Sequence, residues 1–203
     1  MFADCSFPKG RHHHLTLMGQ LTARGRSRYV MASQIKRNGR MISNLQQAER
    51  LYLLRHARSG WAEPGSRDFD RSLSDAGYAE AELVANAAAD REYRPDLVIS
   101  STAKRCRQTF EAFSRAFPDL EDARFVDELY NAPAEIYLEI IGATQGVRSL
   151  LLIGHNPAIE EVLARLCGHD TVGKTVPDGY PTSGFAVLDA KDNSWGLSDF
   201  LIG

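Results

Sequence analysis

Cysteine is scarce in this chain, long apolar runs are missing and net charge is almost nil, and each shortage excludes a class of protein. The three cysteines, Cys5, Cys106 and Cys167, show no Cys-x-x-Cys spacing. So odd and sparse a set argues against a disulfide framework and fits a reducing compartment. No stretch approaches the ~18 apolar residues that a membrane span needs, so no membrane partner is expected. A formal net charge of -2 over 203 residues leaves no footprint for a nucleic acid or an anionic surface. No internal repeat is visible. The histidines of the later part of the chain form no chelating pair at i,i+4 or similar spacing, so neither a metal nor another cofactor is expected.

What is present divides unevenly. Residues 1–50 carry nine Lys/Arg against two acids, and residues 51–203 carry fifteen against twenty-four. Residues 1–48 show neither helical nor alternating periodicity and are rich in Arg, Ser, Gly and His, with His12-His13-His14 an incidental run. Two readings stand for this segment. One is a disordered extension, with Met31 and Met41 as alternative starts; the other is an Arg- and Ser-rich transit peptide. The expected location is accordingly cytoplasmic, or an organelle if the segment is a transit peptide. Residues 49–203 are read as one domain.

Apolar runs and amphipathic stretches alternate from residue 51 onward. Leu51–Leu54, Leu97–Ile99, Arg124–Val126, Leu150–Ile153 and Phe185–Leu188 read as strands, with Leu197–Ile202 as an edge strand. Ser74 is expected to cap a helix whose buried stripe is Ala76, Ala79, Leu83 and Ala87. Thr102 is expected to cap a second helix with the stripe Ala103, Cys106, Phe110, Phe113 and Phe117. Residues 133–141 give a third helix, with Ile136, Ile140 and Ile141 on one side. A fourth opens at Asn156-Pro157, Asn as cap and Pro in the first turn. This alternation predicts an α/β three-layer sandwich with a mainly parallel sheet. Cys106 and Cys167 fall on apolar helix faces and read as small buried hydrophobes.

In such sheets ligands bind at the carboxyl ends of the strands. Arg55 and His56 follow the first strand, Ser100, Ser101 and Arg105 the second, and His155 the strand at 150–153. Two arginines, two histidines and nearby helix N-termini on one rim make an anion site suited to a phosphoryl group.

Four segments carry a family resemblance. LLRHARSGW, from Leu53 to Trp61, resembles the Arg-His-Gly signature of the histidine phosphatase superfamily, the phosphoglycerate mutase-like proteins. Asp68 to Gly77 resembles its Pro-Leu-[Ser/Thr]-x-x-Gly block. Ser100 to Thr109 resembles its second arginine motif, and Gly154-His155-Asn156-Pro157 its second-histidine motif. The order and spacing hold across residues 51 to about 190 and are most similar to the short bacterial phosphohistidine phosphatases. Ala57 replaces the signature Gly, Ser72 replaces Pro in the first block, and Thr102 replaces it in the second.

The resemblance implies a phosphoglycerate mutase-like fold and a metal-independent phosphatase. His56 is then the nucleophile, and Arg55, Arg105 and His155 grip the phosphoryl oxygens, His155 as a cationic donor when protonated. Arg58 is a fifth contact or a surface charge. Glu128, after the third strand, is the candidate general acid or a surface carboxylate. The partner would be a phosphohistidine protein or a phosphorylated small molecule, and oligomeric state is left open. A mutase and a non-catalytic phosphate-binding module are the alternatives. Loops 57–73 and 168–183, with Arg67, Arg71, Lys174, Asp178 and Tyr180, are expected to line the pocket mouth.

Overall fold

The computed structural model describes residues 48–203 apart from 62, 63, 121 and 193. Cys5, His12-His13-His14 and the rest of the basic segment lie outside the described residues. Six strands form one sheet: β1 (Arg50–Arg55), β2 (Leu97–Ser101), β3 (Ala123–Val126), β4 (Ser149–Gly154), β5 (Phe185–Lys191) and β6 (Ser194–Leu201), in the order β3-β2-β4-β1-β5-β6. The first four are parallel, and β5 and β6 add an antiparallel edge.

The helices are α1 (Asp75–Asp90), α2 (Lys104–Ser114), α3 (Ala134–Ala143), α4 (Ala158–Cys167) and α5 (His169–Thr175). α1 and α2 cover one face, where Val84, Ala88, Cys106 and Phe113 meet Tyr52, Leu54, Val98, Leu151 and Ile153. On the other face α3, α4 and α5 bring Tyr137, Ile159, Leu163 and Val172 against Leu51, Leu53, Leu97, Leu150 and Leu152. Successive residues of one strand therefore enter opposite cores. That is why the central strands read as unbroken apolar runs rather than as alternation. Among the described residues, no helix is long and apolar enough to cross a membrane.

Local assignments shift in five places. The buried face of α1 is Gly77, Ala81, Val84, Ala85 and Ala88, while Leu83 is exposed. The expected stripe was thus rotated by about one residue. Gly77 sets the true face: a Cβ there would overlap the carbonyl oxygen of Arg58. α2 is preceded by Ala103, not Thr102, which lies buried without a partner for its hydroxyl. Phe117 is buried beyond the end of α2. Pro157 precedes α4, and the Asn156 amide bonds Glu160 rather than capping. Residues 168–183, expected as a loop, contain α5.

Candidate active site

Parallel pairing places Arg55 opposite Gly154 and Ser100 opposite Ile153. The ends of β1, β2 and β4 therefore share one rim, and Arg55, His56, Ser101, Arg105 and His155 gather there. Strand ends alone do not hold them. The carbonyl of Tyr180 accepts Arg55 Nη1 at 2.5 Å. Thr109 Oγ1 accepts the Ala57 N–H at 3.0 Å and donates to the Arg105 carbonyl at 2.7 Å. Gln108 Oε1 accepts the Leu73 N–H at 2.7 Å. The Gln-Thr pair of the second motif thus ties α2 to both ends of loop 57–73.

Hydrogen bonds fix the imidazole tautomers. His56 Nδ1 lies 2.8 Å from the Ala57 carbonyl, which can only accept, so Nδ1 carries the proton. Its Nε2 is left as a lone pair, which accepts from Arg105 Nε at 3.2 Å. His155 Nδ1 accepts from Arg105 Nη2 at 3.2 Å, and its Nε2–H faces Ser101 Oγ at 3.0 Å. The two rings stand 5.2 Å apart at 60° with the guanidinium bonded to both.

Burial decides their charge. It holds His56 far below its ordinary value, at about 3, and the cations Arg105 and Arg55 add to the effect beside His155. Burial, then Arg105, lowers His155 to about 4. Both values lie well below neutral pH, so His155 is not the cationic donor expected from the sequence. Burial also lowers the Arg55 guanidinium, whose Nε has no partner in the pocket. Cys106, 3.5 Å from His155 Nε2, is fully buried and pushed up to about 12, so its thiol stays protonated.

The remaining expected residues stand apart. Arg58 is largely exposed and pairs with Glu80 at 2.7 Å. Glu128 is exposed on the short turn Asp127–Leu129, with no hydrogen bond or ion pair to the four. Arg67 pairs with Asp70 on the surface, and Arg71 staples loop 57–73 through Ser59, Gly60 and Asp68. Lys174 and Asp178 are exposed. Tyr180 is not at the mouth: its ring is buried, with the hydroxyl donating to the Leu53 carbonyl at 2.7 Å.

Two residues at the rim escaped sequence reading. The carboxylate of Asp68 reaches Arg105 Nη2 at 3.1 Å and accepts from Tyr130 at 3.0 Å. The Tyr130 ring stands edge-on to His155, 5.7 Å between centroids. Asp68 opens the block that runs to Gly77, but nothing in its spacing ties it to Arg105.

Residues 51–132 match the model of the histidine phosphatase superfamily, branch 1. A solved structure from Agrobacterium tumefaciens, described as a candidate phosphohistidine phosphatase SixA, is 53% identical with a TM-score of 0.74, covering 77% of this chain and 99% of that one. The protein histidine phosphatase SixA complexed with tungstate shares the fold at 22% identity and a TM-score of 0.63, over 75% and 96% of the two chains. An uncharacterised chloroplastic protein of Arabidopsis thaliana is 32% identical over 158 residues, 73% of this chain and 69% of its own.

Proposed function

The chain belongs to the histidine phosphatase superfamily and is a phosphatase, and from that premise we propose that it works without a metal, through a phosphohistidine on His56. The observation that carries the proposal is the setting of His56, with Nδ1 2.8 Å from the Ala57 carbonyl and Nε2 3.2 Å from Arg105 Nε, in a buried position that disfavours the protonated ring. Nε2 attacks phosphorus in line, the P–N bond forms and the bond to the leaving group breaks. The positive charge that develops on the ring is shared with the Ala57 carbonyl through Nδ1–H. Water then attacks phosphorus, phosphate departs and His56 recovers its lone pair. Arg55 and Arg105 bind the equatorial oxygens through their planar forks. His155, neutral when the pocket is free, takes up a proton as the phosphoryl dianion enters and becomes a further donor.

The substrate class follows from the leaving group. An ester oxygen needs a proton, commonly from a carboxylic acid. Asp68 is the carboxylate bonded to this cluster, and hydrogen bonds from Arg71 above all hold it low, at about 2. It is ionised at neutral pH. Glu128 is exposed and has no contact with the cluster. A phosphoramidate needs neither, because its leaving nitrogen carries its own proton. We therefore favour protein phosphohistidine over a small phosphoester as substrate, in line with the descriptions of the SixA structures. We place the protein in the cytoplasm; the chloroplastic relative makes organelle import the alternative, which a fluorescent fusion decides.

The test is a turnover screen of phosphohistidine peptide, phosphoramidate and alkyl phosphates, run in EDTA with His56→Ala as control. Phosphohistidine and phosphoramidate should be hydrolysed fastest, and the variant should be inactive on every substrate. A preference for alkyl phosphates would overturn the substrate class. Activity in EDTA that returns only with Mg²⁺ would overturn the metal-free route, and phosphoryl transfer to a second hydroxyl would indicate a mutase.

A further inference from the structure

A guanidinium offers two forked edges, a side-on edge of Nε and Nη2 and an end-on edge of Nη1 and Nη2. In Arg105 both edges are engaged, by different kinds of group. The side-on edge faces the two imidazoles, with Nε 3.2 Å from His56 Nε2 and Nη2 3.2 Å from His155 Nδ1. The end-on edge is held by one residue. The backbone carbonyl of Asp68 accepts Nη1 at 2.8 Å, and its Oδ2 lies 3.1 Å from Nη2.

Asp68 is itself fixed. Its Oδ1 accepts Arg71 Nη1 at 2.9 Å, and its Oδ2 accepts the Tyr130 hydroxyl at 3.0 Å. Arg71 in turn bonds the Gly60 carbonyl and Ser59 Oγ, so the clamp is anchored at the start of its own loop. Tyr130 anchors it from the far side, its ring edge-on to Phe69 at 5.0 Å and beneath the Arg105 guanidinium at 5.8 Å.

We propose that Asp68 is a positioning residue for phosphoryl binding: it occupies the end-on edge of Arg105 and so aims the side-on edge at the space between His56 and His155. The inference rests on the phosphatase reading above, since it gives that edge a phosphoryl group to grip. Asp68 does not donate a proton to the leaving group. Its carboxylate is shared between two guanidiniums, which keeps it ionised and spares Arg105 a full neutralising partner. Without the clamp, a long Arg side chain at the pocket floor has other rotamers available, and the fork loses its aim.

Sign separates this role from simple charge. Removing a carboxylate beside an anion site should tighten anion binding if charge alone matters, whereas loss of positioning should weaken it. The experiment measures tungstate affinity by calorimetry in the full-length wild type, Asp68→Asn, Asp68→Ala, Arg105→Lys and the Asp68→Ala/Arg105→Lys double variant. The same proteins are assayed on p-nitrophenyl phosphate and phenyl phosphate. Asp68→Ala should weaken tungstate binding and lower kcat/KM on the order of 10- to 100-fold, the scale of a misaimed binding group. The factor should be equal for the two esters. The backbone carbonyl remains in both Asp68 variants, and Asp68→Asn, which also keeps one side-chain acceptor, should recover part of the loss. In the Arg105→Lys background, where no fork remains to be aimed, Asp68→Ala should add little.

Unchanged or tighter tungstate binding by Asp68→Ala would overturn the proposal. So would a full additional loss in the Arg105→Lys background. A loss confined to phenyl phosphate, the poorer leaving group, would make Asp68 a proton donor instead and overturn it equally. Weakened tungstate binding in proteins that hydrolyse neither ester would uphold the role of Asp68 and sink the catalytic reading.

Discussion

An imidazole attacks phosphorus only through an unprotonated nitrogen, so the state of His56 matters more than its presence. Burial keeps the ring neutral down to about pH 3, and the Ala57 carbonyl fixes the proton on Nδ1. The sign is that of a lowered histidine: the reactive form persists on the acid side and is lost only as pH falls through about 3. Ring ¹⁵N spectra of the free protein should show an Nδ1–H tautomer at His56 that does not titrate between pH 5 and 8. A midpoint near 6.5, the value of a free imidazole, would contradict this. The clustering of Arg55, His56, Arg105 and His155 was legible in the sequence because these residues are chemically distinctive and sit where strands end. Asp68 was not. Its partner lies 37 residues away, and an acid in an irregular loop carries no periodic signal. The placement of Glu128 shows the converse, since a carboxylate at a plausible point in the order lies exposed and outside the contacts.

At the scale of elements, strands were easier to read than helix faces. A strand buried on both sides leaves an apolar run with one interpretation. α1 is rich in alanine, and 3.6-residue spacing then fits two faces about equally well. Its single leucine drew the stripe toward Leu83, yet the close approach of Gly77 to Arg58 sets the rotation actually adopted. The outcome can be checked by unfolding. Leu83→Ala should change stability by less than about 0.5 kcal/mol, as exposed positions do. Phe113→Ala should cost about 3–5 kcal/mol, because its ring is buried between Phe117 and Phe185. A large loss at Leu83 would mean that α1 packs by the other face. Helix starts were misread by one residue at Thr102 and Asn156 for a related reason. Both side chains can cap, but the Thr102 hydroxyl is buried without a partner and the Asn156 amide is drawn to Glu160, neither of which sequence shows.

For the whole molecule, the parallel order β3-β2-β4-β1 matters most, because it brings three strand ends from positions 55 to 154 to one rim. Alternation of strands and helices made that layering legible, and the rule that ligands bind at strand ends points to the rim where Arg55, His56, Arg105 and His155 gather. We propose that residues 49–203 form the catalytic domain, with the basic segment before it outside the chemistry. The claim at the centre of the account is a covalent one, that the phosphoryl group passes through His56. Enzyme turning over p-nitrophenyl phosphate, quenched in denaturant at alkaline pH and mapped by mass spectrometry, should carry phosphate on His56. The same quench of His56→Ala should carry none and show no turnover. Phosphate on another residue, or undiminished turnover by His56→Ala, would contradict the account.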